Sequence, residues 1–328
     1  MKNLTTGALI AGSTMLSPFA AYAETEIQFW HAFTGRLGEL VAAQVEDFNA
    51  SQDEFTVVQS HKGNYSETLN AGIAAFRAGE QPQILMVFEV GTATMMAAEG
   101  VLWVNRDAFE AAGVDPDTDL STWQNVGEVL GQLRDGGSTC PLTTAWQSWI
   151  HLENFSAYHD VPFATQENGF AGLDTELSFN GEAQVAHIAA MGEWAQDGRF
   201  IYSGRRNEGG ANFRAGECAL FTESSAGYAG IKAEAAFDFD VRPLPYWEGV
   251  GNSPQNTIIG GASLWVMEGH EPEEYEGAAE FLAYLSSSDV QAQWHKDTGY
   301  LPITNAAADA TRASGFYEEN LGTEVAVI

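Results

Sequence analysis

N-T-I-I-G-G-A-S-L-W-V-M, residues 256–267, sets an apolar, β-rich run around the pair Gly260-Gly261. It reads as a buried strand, 257–259 and then 264–267, interrupted by the glycines. Glycine weakens a strand interior, so a pair there marks a bend or a point where something approaches the backbone closely. A ligand is one such visitor, because a bare glycine leaves its N–H open as an anion donor. Further on, T-G-Y-L-P-I-T (298–304) forms a Gly-aromatic-Pro turn after a helix. Together the two segments read as one wall of a ligand cleft. Taken alone, they fit a bulge in a core strand equally well.

Working outward, the chain alternates strand and helix. Residues 26–29 read as a strand, and apolar residues at 37, 40, 41, 45 and 48 form a helical face. A β-rich run at 55–58 follows, then a helix from about Ser66 with Leu69, Ile73 and Phe76 on one side and Gly79 near its end. Residues 84–88 are continuously apolar, as in a parallel strand covered on both faces. This alternation predicts an α/β fold with a mainly parallel sheet, whose ligands sit at the carboxyl ends of strands. Tyr65 and Glu89 lie just past such strands.

A second set follows. Ser121 or Thr122 caps a helix carrying Trp123, Val126, Leu130 and Leu133, and 140–144 is extended. A helix spans about 182–196, a strand 218–222 runs into Ser224-Ser225, and 237–245 is extended. The last long helix covers about 275–285.

Residues 1–23 read as an export leader. Lys2 is followed by an apolar centre at 4–16 and by Ala21-Tyr22-Ala23 before Glu24. The apolar run is too short to span a bilayer, and no cysteine follows the cleavage site. An exported, soluble periplasmic protein is expected. Against 45 acidic residues stand 14 basic ones, a formal charge of −31. Nucleic acid and anionic membranes are therefore poor partners, and an anionic ligand must be held by local donors against the overall field. In an oxidising compartment Cys140 and Cys218 can pair, although sequence alone does not bring them together.

No histidine spacing suggests a metal, and no phosphate loop, dinucleotide fingerprint or nucleophile elbow appears. No cofactor is expected. Many acids are available for a glycosidase pair, but nothing singles two out. A binding constellation remains. Tyr65 can donate its hydroxyl, and Glu89 can accept from glycerol-like or sugar-like hydroxyls. Trp146 can offer a flat face to a carbon skeleton, and Ser224 can donate to an oxyanion. Each has an ordinary alternative: a helix-start aromatic, a surface carboxylate, a core tryptophan and a helix cap.

The motifs F-W-H (29–31), K-G-N-Y (62–65), G-I-A-A-F-R (72–77) and E-V-G-T-A-T-M-M-A (89–97) closely resemble the periplasmic glycerol-3-phosphate-binding proteins of bacterial ABC importers. So do W-Q-S-W-I-H-L-E-N-F-S-A (146–157), P-Q-N-T-I-I-G-G-A-S-L-W-V-M (254–267) and W-H-K-D-T-G-Y-L-P-I-T (294–304). The resemblance implies a non-enzymatic, monomeric, two-lobed protein closing on sn-glycerol 3-phosphate or a glycerophosphodiester. It also implies delivery to a permease and its ATPase. It places Tyr65, Ser224, the Gly261 backbone and Tyr300 at the phosphate, Glu89 at the glycerol hydroxyls and Trp146 against the glycerol.

The first lobe is expected at 24–101 and 259–328, the second at 102–258. Two departures from the family pattern stand out. Near Gly100 the chain lacks several dozen residues that in the family hold a hinge strand and a phosphate-contacting serine. It also stops at Ile328, before the arginine the family uses at phosphate. Each lost charge-assisted hydrogen bond is worth roughly 1.5–3 kcal/mol. An oligosaccharide binder, a carboxylate hydrolase and a shortened member that binds nothing remain as alternatives.

Overall fold

The computed structural model describes residues 24–88 and 96–326. The expected leader, 1–23, lies outside them. Among the described residues nine strands form two sheets: β1 (Thr25–His31), β2 (Phe55–His61), β3 (Ile84–Val87), β4 (Met96–Ala98), β5 (Gly100–Asn105), β6 (Leu142–Thr144), β7 (Leu220–Ser224), β8 (Phe239–Pro243) and β9 (Gly260–Val266). The first sheet has the order β2-β1-β3-β9-β4 and the second β6-β7-β5-β8. Each carries one reversed strand. β9 is antiparallel to β3 and β4, and β5 is antiparallel to β7 and β8.

Those two strands are the ones that enter a sheet from the other lobe. The chain leaves the first sheet at β4, passes through Glu99 alone, and enters the second as β5. It returns through 254–259 into β9. A strand entering from the interlobe side must run against strands whose carboxyl ends point to that side. The reversed directions therefore show that the carboxyl edges of both sheets face the crossing, where ligands of open α/β sheets bind.

Two expectations need correction here. The glycine pair opens β9 instead of interrupting a strand, because 254–259 is the crossing itself and pairs with no strand among the described residues. A direct strand connection between the lobes is also present, supplied by β4, Glu99 and β5. The C-terminal part also reaches the helix Tyr228–Glu234. Asn320 Oδ1 accepts from the Tyr228 hydroxyl (2.6 Å) and Lys232 Nζ (2.8 Å).

Each lobe has its own core. Ile27, Phe29, Val45, Phe48, Ile84, Met86 and Phe281 fill the first. Leu102, Val104, Phe109, Trp123, Leu130, Leu142 and Trp194 fill the second. The helix Trp123–Asp135 begins as expected, with Thr122 Oγ1 accepting from Asn125 N (3.2 Å). The helix Tyr65–Ala78 turns a different face inward than its apolar spacing suggests. Thr68 and Gly72 are buried while Ile73 and Phe76 stay exposed, since Gly72 seats the helix on Leu85.

That helix starts in a capping box. Asn64 Oδ1 accepts from the backbone N–H groups of Ser66 (3.0 Å) and Glu67 (3.2 Å), and Glu67 Oε2 accepts from Asn64 N (2.8 Å). Asn64→Ala is expected to cost about 1 kcal/mol. Denaturant titration of the variant checks this, and an unchanged midpoint would show that tertiary packing alone holds the helix start.

Candidate ligand cleft

The two crossings are tied to one another and to the turn after β7. Ser225 N donates to the Glu99 carbonyl (2.7 Å), Glu99 N donates to Ser225 Oγ (3.2 Å), and Thr257 Oγ1 donates to Glu99 Oε2 (3.4 Å). This knot lies between the carboxyl edges of the sheets.

From the first-lobe side come two tyrosines. Tyr65 is the first residue of its helix, placed there by the capping box, and its ring meets Phe88 at 5.6 Å beyond the end of β3. Its hydroxyl lies close enough to that of Tyr300 for the two to influence each other's titration. Tyr300 is buried and stacked on Trp294 (5.9 Å between centroids). Its carbonyl accepts from His295 Nδ1 (2.6 Å), and its N–H donates to Thr298 Oγ1 (3.1 Å). Burial pushes the Tyr65 hydroxyl up to about 12. Tyr300 is raised well above its ordinary value by burial first, then by the charges of Tyr65 and Glu223. Both hydroxyls therefore stay protonated.

The second lobe supplies Trp146 and Ser224. Trp146 follows β6 with φ of +49°, a conformation unusual for a bulky residue and typical of a built site. Its N–H donates to the Arg206 carbonyl (2.8 Å), its carbonyl accepts from Ile150 N (2.9 Å), and its indole lies beside Glu223. Ser224 ends β7. Its Oγ accepts from Ala226 N (3.1 Å) and its N–H donates to Glu223 Oε1 (2.8 Å).

Gly261 stands opposite Ala97 with φ of +112°, two residues before Ser263, the partner of Val87. That places it at the edge where Phe88 meets Tyr65. A Cβ on the preceding Gly260 would lie 2.7 Å from the Trp149 indole. The buried Trp149 Nε1 has no hydrogen-bond partner among the described residues, which leaves a donor beside the glycine pair.

Thus Tyr65 meets Tyr300, and Glu223 accepts from Ser224 N, lies beside Trp146 and is within electrostatic reach of Tyr300. Glu89 lies outside the described residues. Sequence reasoning missed Glu223, Glu99 and Trp149. The signal for Glu223 was available: a lone carboxylate in the apolar strand L-F-T-E-S. It is 6% exposed, and burial raises its pKa to about 7. Burial raises Glu99 to about 6.

Behind the strand ends lies a directed relay. Trp247 Nε1 donates to His187 Nδ1 (2.9 Å), so His187 carries its proton on Nε2 and gives it to His151 Nδ1 (3.1 Å). His151 Nε2 in turn reaches Thr144 Oγ1 (3.0 Å), to which Thr222 Oγ1 donates (2.7 Å). Thr144 and Thr222 stand two residues before Trp146 and Ser224. The relay therefore sets the height of both site residues.

Among the described residues no group of three or more His, Cys, Asp or Glu side chains is arranged to hold a metal. No described helix is long and apolar enough to cross a membrane.

Residues 87–321 match the model of the bacterial extracellular solute-binding protein family. The sn-glycerol-3-phosphate-binding periplasmic protein of Yersinia pestis bv. Antiqua (strain Antiqua) is 43% identical over 352 aligned residues, covering 93% of this chain and 80% of that protein. The protein of the same name from Escherichia coli O6:K15:H31 is 41% identical, covering 98% and 84%. Among solved structures, UgpB from Mycobacterium tuberculosis in complex with glycerophosphocholine superposes with a TM-score of 0.72 at 18% identity, covering 88% of this chain and 85% of that one. A cyclic maltosyl-maltose-binding protein of Arthrobacter globiformis gives 0.69 at 20%, covering 90% and 84%. These last two likenesses establish the two-lobed fold.

Proposed function

We propose that this chain, which belongs to the bacterial extracellular solute-binding proteins, binds sn-glycerol 3-phosphate or its glycerophosphodiesters and delivers them to a membrane permease. The observation that carries the reading is the Tyr65–Tyr300 hydroxyl pair meeting the Trp146–Glu223–Ser224 group at the crossing. In this reading the two tyrosine hydroxyls, Ser224 Oγ and the Gly261 N–H hold phosphate oxygens. Trp146 covers the carbon skeleton and Glu89 takes the glycerol hydroxyls.

The donors are neutral and preorganised, so they bind an anion without bringing a counter-charge. Closure of the lobes about the Glu99 and 254–259 crossings is the working motion. The protein is a monomer that turns nothing over, and its permease is driven by an ATPase. Cleavage after Ala23 releases it into the periplasm.

Calorimetric titration of the chain from Glu24 with sn-glycerol 3-phosphate and with glycerophosphocholine tests this. Saturable one-to-one binding of either ligand, not displaced by maltose-like sugars, is expected. A folded sample that gives no heat with both would sink the reading, and displacement by sugars would move it to an oligosaccharide binder.

A further inference from the structure

The cleft contains a group that an anion site does not need. Glu223 lies on β7 in register with Val101, its carboxylate accepting from Ser224 N (2.8 Å), beside the Trp146 indole and within electrostatic reach of the Tyr300 hydroxyl. It is thus surrounded by three of the residues assigned above to the ligand. Arg214, the cation that lowers it, is paired with Glu234 at 2.8 Å and acts on Glu223 through charge alone. A second carboxylate, Glu99, lies on the crossing against the Ser224-Ser225 turn.

We propose that Glu223 is a specificity-determining residue that makes this cleft select singly charged glycerophosphodiesters over the doubly charged phosphomonoester. The proposal rests on the functional reading above and names its substrate class.

The physical argument is one of charge count. A phosphomonoester has its second ionisation near pH 6, so at pH 7.5 it is mainly a dianion, whereas a diester keeps one charge. Tyrosine, serine and backbone donors satisfy phosphate oxygens in both. They do not neutralise the second charge, and Glu223 adds a like charge within the same dry group. Burial already makes the carboxylate reluctant to ionise, and a nearby dianion strengthens that reluctance. The monoester therefore bears a penalty that the diester largely escapes. A positively charged head group on the diester adds attraction but is not required.

The test is calorimetric titration of the chain from Glu24 at pH 8.5, far enough above about 7 that Glu223 stays ionised beside the ligand. The ligands are sn-glycerol 3-phosphate, its methyl ester and glycerophosphocholine. The methyl ester removes one charge with little added bulk, so it separates phosphate charge from head-group recognition. The intact chain is expected to bind the methyl ester at least tenfold tighter than the monoester. Glu223→Gln is expected to bring the monoester to within about threefold of the ester, while the ester's own affinity stays within that range.

Equal affinity of the intact chain for monoester and methyl ester would overturn the proposal and leave the proposed function standing. So would a Glu223→Gln change that shifts both ligands by one factor. Tight glycerophosphocholine with a weak methyl ester would assign the selectivity to the cationic head group instead. Binding of none of the three would overturn both readings. Glu223→Asp, which keeps the charge, is expected to retain the preference, and its loss there would also count against the proposal.

Discussion

Replacing both Cys140 and Cys218 with alanine is expected to lower the melting temperature by roughly 10 °C, a loss of about 4.5 kcal/mol from the folding equilibrium. The two half-cystines are 78 residues apart with Cα atoms 4.5 Å apart, so the bond closes a long loop. Releasing such a loop in the denatured chain is what the chain-entropy argument counts. Cys140 lies two residues before β6 and Cys218 two before β7, and these strands are parallel neighbours. The bond therefore clamps the amino ends of the two strands whose carboxyl ends carry Trp146 and Ser224. Backbone pairing continues the clamp, from Ala219 N to the Cys140 carbonyl and from Leu220 N to the Pro141 carbonyl, each 2.9 Å. Scanning calorimetry of the double variant, alongside the intact chain with and without reductant, measures the effect. A drop of only a degree or two would mean that the strand pairing persists in the denatured chain. Ligand affinity at room temperature should change little, because the clamp is at the far end of the strands.

How much of this was legible from residues follows from which interactions are local. Helix starts were, since Asn64 and Thr122 cap through backbone groups two or three residues away. Continuous apolar runs such as β3 were, because burial on both faces leaves no polar alternative. The end of the Gly260-Gly261 strand was not, because whether 257–259 pairs depends on which sheet edge it passes. The face of the helix Tyr65–Ala78 was misread for a related reason: spacing marks apolar residues, but Gly72 decides where the helix can come close.

At the site, tyrosine, tryptophan and serine past strand ends could be picked out one by one. That Glu223 joins them could not, because Trp146 and Tyr300 each lie 77 positions from Glu223, one on either side. The reversed direction of β5 and β9 was also out of reach of periodicity. It follows only from where the chain crosses.

His187→Leu is expected to destabilise the second lobe by about 3 kcal/mol, because it strands two buried partners at once. Trp247 Nε1 loses its acceptor and His151 Nδ1 loses its donor, in a position where His187 is 1% exposed and its ring stacks on Phe155 at 4.5 Å. The relay has a single direction, from Trp247 through His187 and His151 to Thr144. A further proton on His187 would face the Trp247 N–H, and one on His151 would face the His187 N–H. Protonation is opposed by geometry as well as by burial, which holds His151 at about 4 and His187 well below its ordinary value. A histidine depressed in the folded state takes its proton more readily when unfolded. The stability it contributes is present above its unfolded value near 6.5 and is lost as pH falls toward the folded value.

For His151 alone that loss reaches about 2 kcal/mol by pH 5. Glu223 acts oppositely. Its raised value means the folded state gives up stability as pH rises from the unfolded carboxyl range through about 7, so acid returns it. The two terms are of similar size and offset each other between pH 7.5 and 5. His31, His159, His187 and His295, all depressed by burial, stand on the acid-labile side, with Glu99 acting in the sense of Glu223. Urea titrations at pH 7.5 and 5.0 should therefore show lower stability at pH 5.0 for the intact chain. The His187→Leu variant should be weaker at pH 7.5 and less sensitive to the same change. A variant as stable as the parent at pH 7.5 would show that the relay contributes nothing to the height of the Thr144 and Thr222 strand ends.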